Sequence, residues 1–213
     1  MSGYGLKIYR EDGSLFISPD VTPMNYVGKY RYTGNGTIQL NIPDTATIMP
    51  FLRNDDVNGA THLTWAVSGG KWYINVNTTG AGWVYVFATI VTVEHGFGLA
   101  VYDSAGKMTW NTDCLPLDIM SVPNPWDGTP INSSSTVYDV NVGVPAAVMP
   151  GICSNYLIIL EPQTPLYIYG SMVARAYGTT VGARTWTGQQ INSRPPSPRF
   201  RVNYIYIDTR LYP

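Results

Sequence analysis

Residues 3–20 read GYGLKIYREDGSLFISPD, and residues 96–113 read GFGLAVYDSAGKMTWNTD. Superposed, they bring Gly3 onto Gly96, Gly5 onto Gly98, Leu6 onto Leu99, Tyr9 onto Tyr102, Gly13 onto Gly106 and Asp20 onto Asp113. Tyr4/Phe97, Ile8/Val101 and Leu15/Met108 are like for like. Each copy is an alternating apolar run, a polar turn ending in Gly, and a second alternating run, which is the pattern of a β-hairpin. The matched positions carry no acid, base or metal ligand, so the repeated unit reads as scaffold. The chain therefore announces its architecture before its chemistry.

Working outward, no stretch holds a sustained 3.6-residue apolar period, and Gly and Pro interrupt the chain at strand-sized intervals. The expectation is an all-β protein of β-sandwich type. Strands are expected at 5–10, 14–18, 29–32, 37–41, 62–68, 71–77, 83–93, 99–103, 107–111, 136–142, 156–161, 166–175 and 201–209, with loops at 42–59 and 121–135. Val84-Tyr85-Val86-Phe87-Ala88-Thr89 resembles Leu166-Tyr167-Ile168-Tyr169-Gly170-Ser171, each an aromatic comb along one strand. That match extends the duplication. One sandwich-like repeat is expected over 1–95 and a second over 96–179. Residues 180–213 are then an Arg/Pro-rich arm and a final strand, with the stiff Ser193-Arg194-Pro195-Pro196-Ser197-Pro198 in the middle. The simpler alternative is that this segment returns to complete its own sheet.

Only 13% of the 213 residues are charged, about half the usual share for a globular chain, while 13% are aromatic. Surfaces of that kind are covered by partners or bind uncharged polar ligands such as sugars. A net charge of −1 argues against nucleic acid and against anionic membrane surfaces. No long apolar run suggests membrane insertion, and the N-terminus lacks a secretory h-region. Cys114 and Cys153 are not in CxxC spacing, so two reduced, buried thiols are expected, with a single disulfide as the alternative.

Enzymatic chemistry finds little support. There is no GxSxG elbow and no CxxC or HxxxH ligand spacing. His62 and His95 have no local nucleophile, and Glu94 beside His95 points to the opposite strand face. Asn54-Asp55-Asp56-Val57-Asn58-Gly59 is the one local oxygen cluster, and it reads equally as an Asx-rich turn. No cofactor is expected. Candidate contact residues are Trp126, held in the turn Pro123-Asn124-Pro125-Trp126-Asp127-Gly128, with Arg194, Arg199, Arg201, Tyr204 and Tyr206 from the C-terminal segment. Candidate aromatic platforms for a glycan are Trp72, Trp83 and Trp126; Trp72 and Trp83 flank a hairpin and are candidates to share a face. For Trp126 the competing reading is a plug over the sheet end.

The opening GLKIYREDGSLFIS and its second copy GLAVYDSAGKMTWNTD resemble the start of a group of small β-rich tailed-bacteriophage virion proteins, which begin with a G-L-x-V-x4-G hairpin. The resemblance covers about 16 residues in each half; the duplication and the Arg/Pro-rich end depart from it. It implies a non-enzymatic structural role in a virion, at the tail tip or with the tail fibres, in symmetric copies beside other tail proteins after folding in the bacterial cytoplasm. Two other readings stay open: a module binding host-surface glycan, and a capsid decoration protein.

Overall fold

In the computed structural model, the described residues are 7–9, 11–13, 15–92, 96–131, 138–161, 166–193 and 200–213. Among them there is no α-helix. The strands are β1 (Ile8–Tyr9), β2 (Leu15–Ile17), β3 (Asn25–Tyr32), β4 (Gly36–Pro43), β5 (Ile48–Asn54), β6 (Thr61–Ser68), β7 (Lys71–Thr78) and β8 (Gly82–Ala88). They continue as β9 (Ala100–Tyr102), β10 (Met108–Asn111), β11 (Met120–Val122), β12 (Val140–Asn141), β13 (Ala146–Val148), β14 (Ile152–Glu161), β15 (Leu166–Tyr177), β16 (Thr180–Ile191) and β17 (Tyr204–Asp208). The all-β expectation holds.

Strand pairing follows one plan twice. A small hairpin, β1–β2 or β9–β10, precedes each round. Three strands of each round then enter a common six-stranded sheet in the order β11-β17-β13-β5-β8-β3. The remaining strands form an outer sheet, β4-β7-β6 in the first round and β12-β16-β15-β14 in the second. Only β14 lacks a counterpart in this plan.

Two antiparallel contacts join the rounds. In the middle of the six-stranded sheet, β5 meets β13 at Leu52 opposite Val148. At the far side the outermost strands come together. The Tyr26 amide donates to the Leu115 carbonyl at 2.8 Å, the Leu117 amide to Met24 at 2.7 Å, and Asn25 bridges Pro116. The shift that carries Gly3 onto Gly96 also carries Met24 onto Leu117, so the seam pairs a segment with its own counterpart. Antiparallel pairing about equivalent positions is the mark of a local two-fold axis.

Three cores follow. Phe51, Tyr85, Phe87, Ala147, Ile207 and Tyr212 fill the space enclosed by the six-stranded sheet. On its outer face, Leu52, Val84 and Val86 pack against Leu40, Ile42, Leu63, Ile74 and Val76 of the first outer sheet. Val148, Tyr204 and Tyr206 pack likewise against Met172, Ala174, Val181 and Ala183 of the second. Each round is thus a two-layer sandwich, and the two share one layer.

The shared layer takes strands from 1–95, 96–179 and 180–213, so boundaries drawn at those points cut across strand pairing. Described residues of the 180–213 segment are not a free arm: β16 pairs with β15 along its whole length, and β17 lies between β13 and β11. The aromatic-comb match is also corrected. Leu166–Tyr177 runs in an outer sheet, and the strand occupying the position of β8 is β17. The expected loop 42–59 holds β5.

A buried ion pair braces the two rounds. Arg175 of β15 has a side chain only 1% exposed and donates from Nη2 to Asp139 Oδ2 at 2.6 Å. Its Nη1 donates to the Val57 carbonyl of the first round, and Arg184 Nη1 reaches the Asn58 carbonyl at 2.5 Å. The Tyr177 hydroxyl donates to Asp139 Oδ2 at 2.9 Å. The Asx-rich stretch 54–59 is therefore structural. Arg31 holds Asp55 through two bonds of 2.8 and 2.6 Å, and Asp56 Oδ1 accepts from the Asn58 amide at 2.7 Å.

Removing one partner of a buried pair strands the other. Asp139→Asn is expected to cost about 3–5 kcal/mol. Arg175→Met is expected to cost less, because Asp139 keeps 21% side-chain exposure and the Tyr177 donor. Urea unfolding of both variants checks the order. A second pair tests packing in the long hairpin. A Cβ on Gly170 would overlap the Thr187 carbonyl oxygen and press on the Tyr156 ring, whereas Gly178, at φ +51°, opens onto free space. Gly178→Ala should lose about 1–2 kcal/mol for its left-handed backbone, and Gly170→Ala distinctly more.

Candidate interaction surface

The duplicated hairpins are matched in detail. In the first, Ile8 faces Ile17 and Tyr9 faces Leu15; in the second, Val101 faces Trp110 and Tyr102 faces Met108. These are the same pairs after superposition, with the register break at the same place. The turns close through Gly13 at φ +80° and Gly106 at φ +79°, a conformation that favours glycine. Asp103 Oδ1 accepts from the amides of Ala105 (2.9 Å) and Lys107 (2.8 Å), fixing the second turn. Past each hairpin a tight turn leads into the seam, with Val21 N to Ser18 O at 3.4 Å and Cys114 N to Asn111 O at 3.1 Å. Because the seam segments run antiparallel, the hairpins leave it at opposite ends.

Each hairpin buries one face and shows the other. Ile17 and Val101 are buried, while Tyr9 and its counterpart Tyr102 stand 57% and 49% exposed. Leu15, Val21, Phe97, Leu99, Leu115 and Ile119 add further exposed apolar area at the hairpins and their exits. Isolated exposed apolar side chains are ordinary; their grouping on two equivalent elements makes these hairpins the candidate interaction surface. The sequence signal was the identity Tyr9/Tyr102, read there only as scaffold.

The residues singled out from the sequence fall elsewhere. Trp126 is fully buried; its Nε1 donates to the Thr129 carbonyl at 3.1 Å and its own carbonyl accepts from Arg201. The plug reading is the one its surroundings match, and its ring offers no face to a glycan. Tyr204 and Tyr206 are buried in the second sandwich, Tyr204 donating to the Tyr138 carbonyl at 2.9 Å. Arg201 is exposed, and its guanidinium bonds Trp126. Arg194 and Arg199, with His95 and Glu94, lie outside the described residues. Trp72 and Trp83 do not share a face. Trp72 packs into the first sandwich and donates to Ala46 O at 2.7 Å; Trp83 turns toward the enclosed core, with Lys29 and Arg31 over its ring at 5.4 and 5.3 Å.

Concavities among the described residues offer a further setting. One of about 240 Å³ is mostly apolar, lined by Met149, Ile152, Cys153, Ala174, Val202 and Tyr204. Another, about 320 Å³, sits on the outer face of the first outer sheet among Thr37, Gln39, Ser68, Lys71, Trp72 and Tyr73. Among the described residues no cluster of His, Cys, Asp and Glu could hold a metal ion, and no helix is long and apolar enough to cross a membrane. Cys114 and Cys153 are both free and buried.

Burial governs the raised thiols and phenols. It pushes the Cys153 thiol up from 9.0 to about 12, suppressing the nucleophilic thiolate. It is also the main cause lifting the Tyr26 and Tyr32 phenols from 10.0 to about 12, with Tyr204 raised as well. No nucleophile is activated by these displacements.

Compared with protein-family models, curated proteins and solved structures, the chain matches none.

These raised groups stay protonated in the fold after the unfolded chain has lost its protons. Their contribution to stability is complete below the unfolded values of 9.0 and 10.0 and is lost as pH rises toward about 12. Melting temperature should therefore fall steadily above pH 9; a flat profile through that window contradicts the burial of these side chains.

Proposed function

We propose that this protein is a non-enzymatic structural component of a bacteriophage virion, at the tail tip or in the tail-fibre region, where it assembles with other tail proteins. The observation that carries the reading is the pair of matched hairpins. The residues that bear the resemblance to virion proteins are those at which the chain leaves equivalent apolar side chains, Tyr9 and Tyr102, uncovered. Two equivalent patches suit a partner that presents repeated sites, which is the normal condition in a symmetric particle. The low charge of the chain is in keeping with a surface that ends up covered.

A glycan-binding role is the second reading, and the concavity beside Lys71 and Tyr73 favours it. Its lining offers hydroxyl, amide and ammonium groups beside the Tyr73 ring, the mixture that sugar hydroxyls and sugar faces require.

Mass spectrometry and antibody labelling of purified particles made from a genome encoding the chain test the proposal. The protein is expected in the particle, at the tail. Tyr9→Ser with Tyr102→Ser should deplete it from particles while leaving its melting temperature unchanged, since both side chains are already exposed. Absence of the wild-type chain from particles overturns the virion reading. Normal incorporation with host adsorption lost on Lys71→Ala and Tyr73→Ala favours the glycan reading.

A further inference from the structure

A sheet edge carries unpaired amides and carbonyls, and natural proteins shield such edges with charge, proline, bulges or covering chain. Among the described residues most edges of this molecule are shielded or interrupted. β3 and the segment before β11 close on each other at the seam. β12 has two residues, and the small hairpins have strands of two to four. β14 is covered by backbone bonds to Ile131, Phe200 and Val202. β4 is broken by a register irregularity between Gln39 and Pro43 and ends in that proline.

β16 is also open past Ala183, but Arg184 and the register irregularity opposite Ser171 and Met172 interrupt that edge; β6 has no such interruption. It runs eight residues, THLTWAVS, in unbroken register with β7, and it contains no charge, no proline and no bulge. Its other side pairs with no described residue. At its start the His62 ring stacks on Trp186 at 5.9 Å, which leaves 64–68 open. Leu63 is buried in the first sandwich, Trp65 packs at its margin, and Val67, next along the same face, is 42% exposed. The core therefore ends part-way along β6, as it would if another strand were to continue it.

We infer that β6 pairs antiparallel with β6 of a second copy, joining two outer sheets into one of six strands, β4-β7-β6-β6-β7-β4. The occupant follows from what the edge requires. A partner strand must be uncharged and must alternate apolar and polar residues in step with Leu63, Trp65 and Val67. β6 meets that requirement itself, and a two-fold axis normal to the sheet keeps apolar face beside apolar face. Val67 and Trp65 of each copy then cover those of the other, extending the core across the junction. With no charge on the strand, two copies approach without like-charge repulsion.

Sedimentation of the full chain over a concentration series tests this, with no reference to its place in a particle. Wild type is expected to reach twice the mass of one chain. Thr64→Lys with Ala66→Lys puts two ammonium groups per copy on the outer face of the junction and should hold the protein at single-chain mass. Thr37→Lys on the β4 edge should leave the double mass intact. Amide exchange at 64–68 in wild type gives a readout that no variant's folding can confuse: protection should rise with protein concentration. A wild type of single-chain mass throughout, or a double mass that survives both lysines, overturns the inference. Loss of the virion role with the dimer intact would refute the function proposed above and leave this one standing.

Discussion

The constraint on which the structure rests is that buried backbone amides and carbonyls must be paired. Three strands from one round cannot enclose a core; their outer edges would stay open. The second round supplies what is missing on both sides, through Leu52 beside Val148 and through the seam between 24–26 and 115–117. Once the six strands meet, the aromatic residues of β8 and β5 are enclosed, and only the outward faces remain for the two outer sheets.

Closure fixes the plan, and the differences between rounds lie outside it. The second outer sheet has the additional β14, and β15 and β16 are twelve residues long where β6 and β7 are eight. Arg175 projects from this enlarged sheet, held by Asp139, and caps the Val57 carbonyl in the 54–59 turn of the other round. A buried ion pair of this kind adds little net stability, but it penalises any arrangement of the halves that leaves the guanidinium unpaired. In a chain with so few charges, spending one in the interior sets how the two sandwiches lie against each other.

The sequence made the hairpins and the polar-faced strands legible because alternation reports a strand with one wet face. β4, β6 and β7 have that pattern, and so do the repeated hairpins down to their glycine turns. β5 was hidden because both its faces are buried: Phe51 enters the enclosed core and Leu52 the first sandwich, so IMPFLRN shows no alternation and contains a proline. β13 is three residues of small and branched apolar side chains, too short to show a period. A second internal match pointed to both, since Ile48-Met49-Pro50 recurs as Val148-Met149-Pro150. The aromatic comb misled for a related reason. In β8 alternate aromatics enter a core enclosed by strands, whereas in β15 the similar run spans an outer sheet, and composition alone does not separate the two settings. At the candidate surface, Trp126 drew attention as a tryptophan in a proline-rich turn, yet it is buried, its backbone amide bonded to Asn124 and its indole N–H to Thr129. The exposed tyrosines were passed over because a repeated tyrosine in a hairpin looks like packing.

The position of β17 bears on how the molecule can be made. It fills the slot between β13 and β11, and Tyr26 near the start of the chain donates its hydroxyl proton to the carbonyl of Pro213 at 2.6 Å. On a ribosome the first sandwich can gather as it emerges, but the slot stays empty until residues 204–208 are released. Until then the nascent chain holds two facing strand edges and an unsealed aromatic interior. Such long-range pairing folds slowly and exposes the chain to misassociation while it waits. Translation speed and chaperone capture, more than the final free energy, would set how much of the protein reaches its closed form.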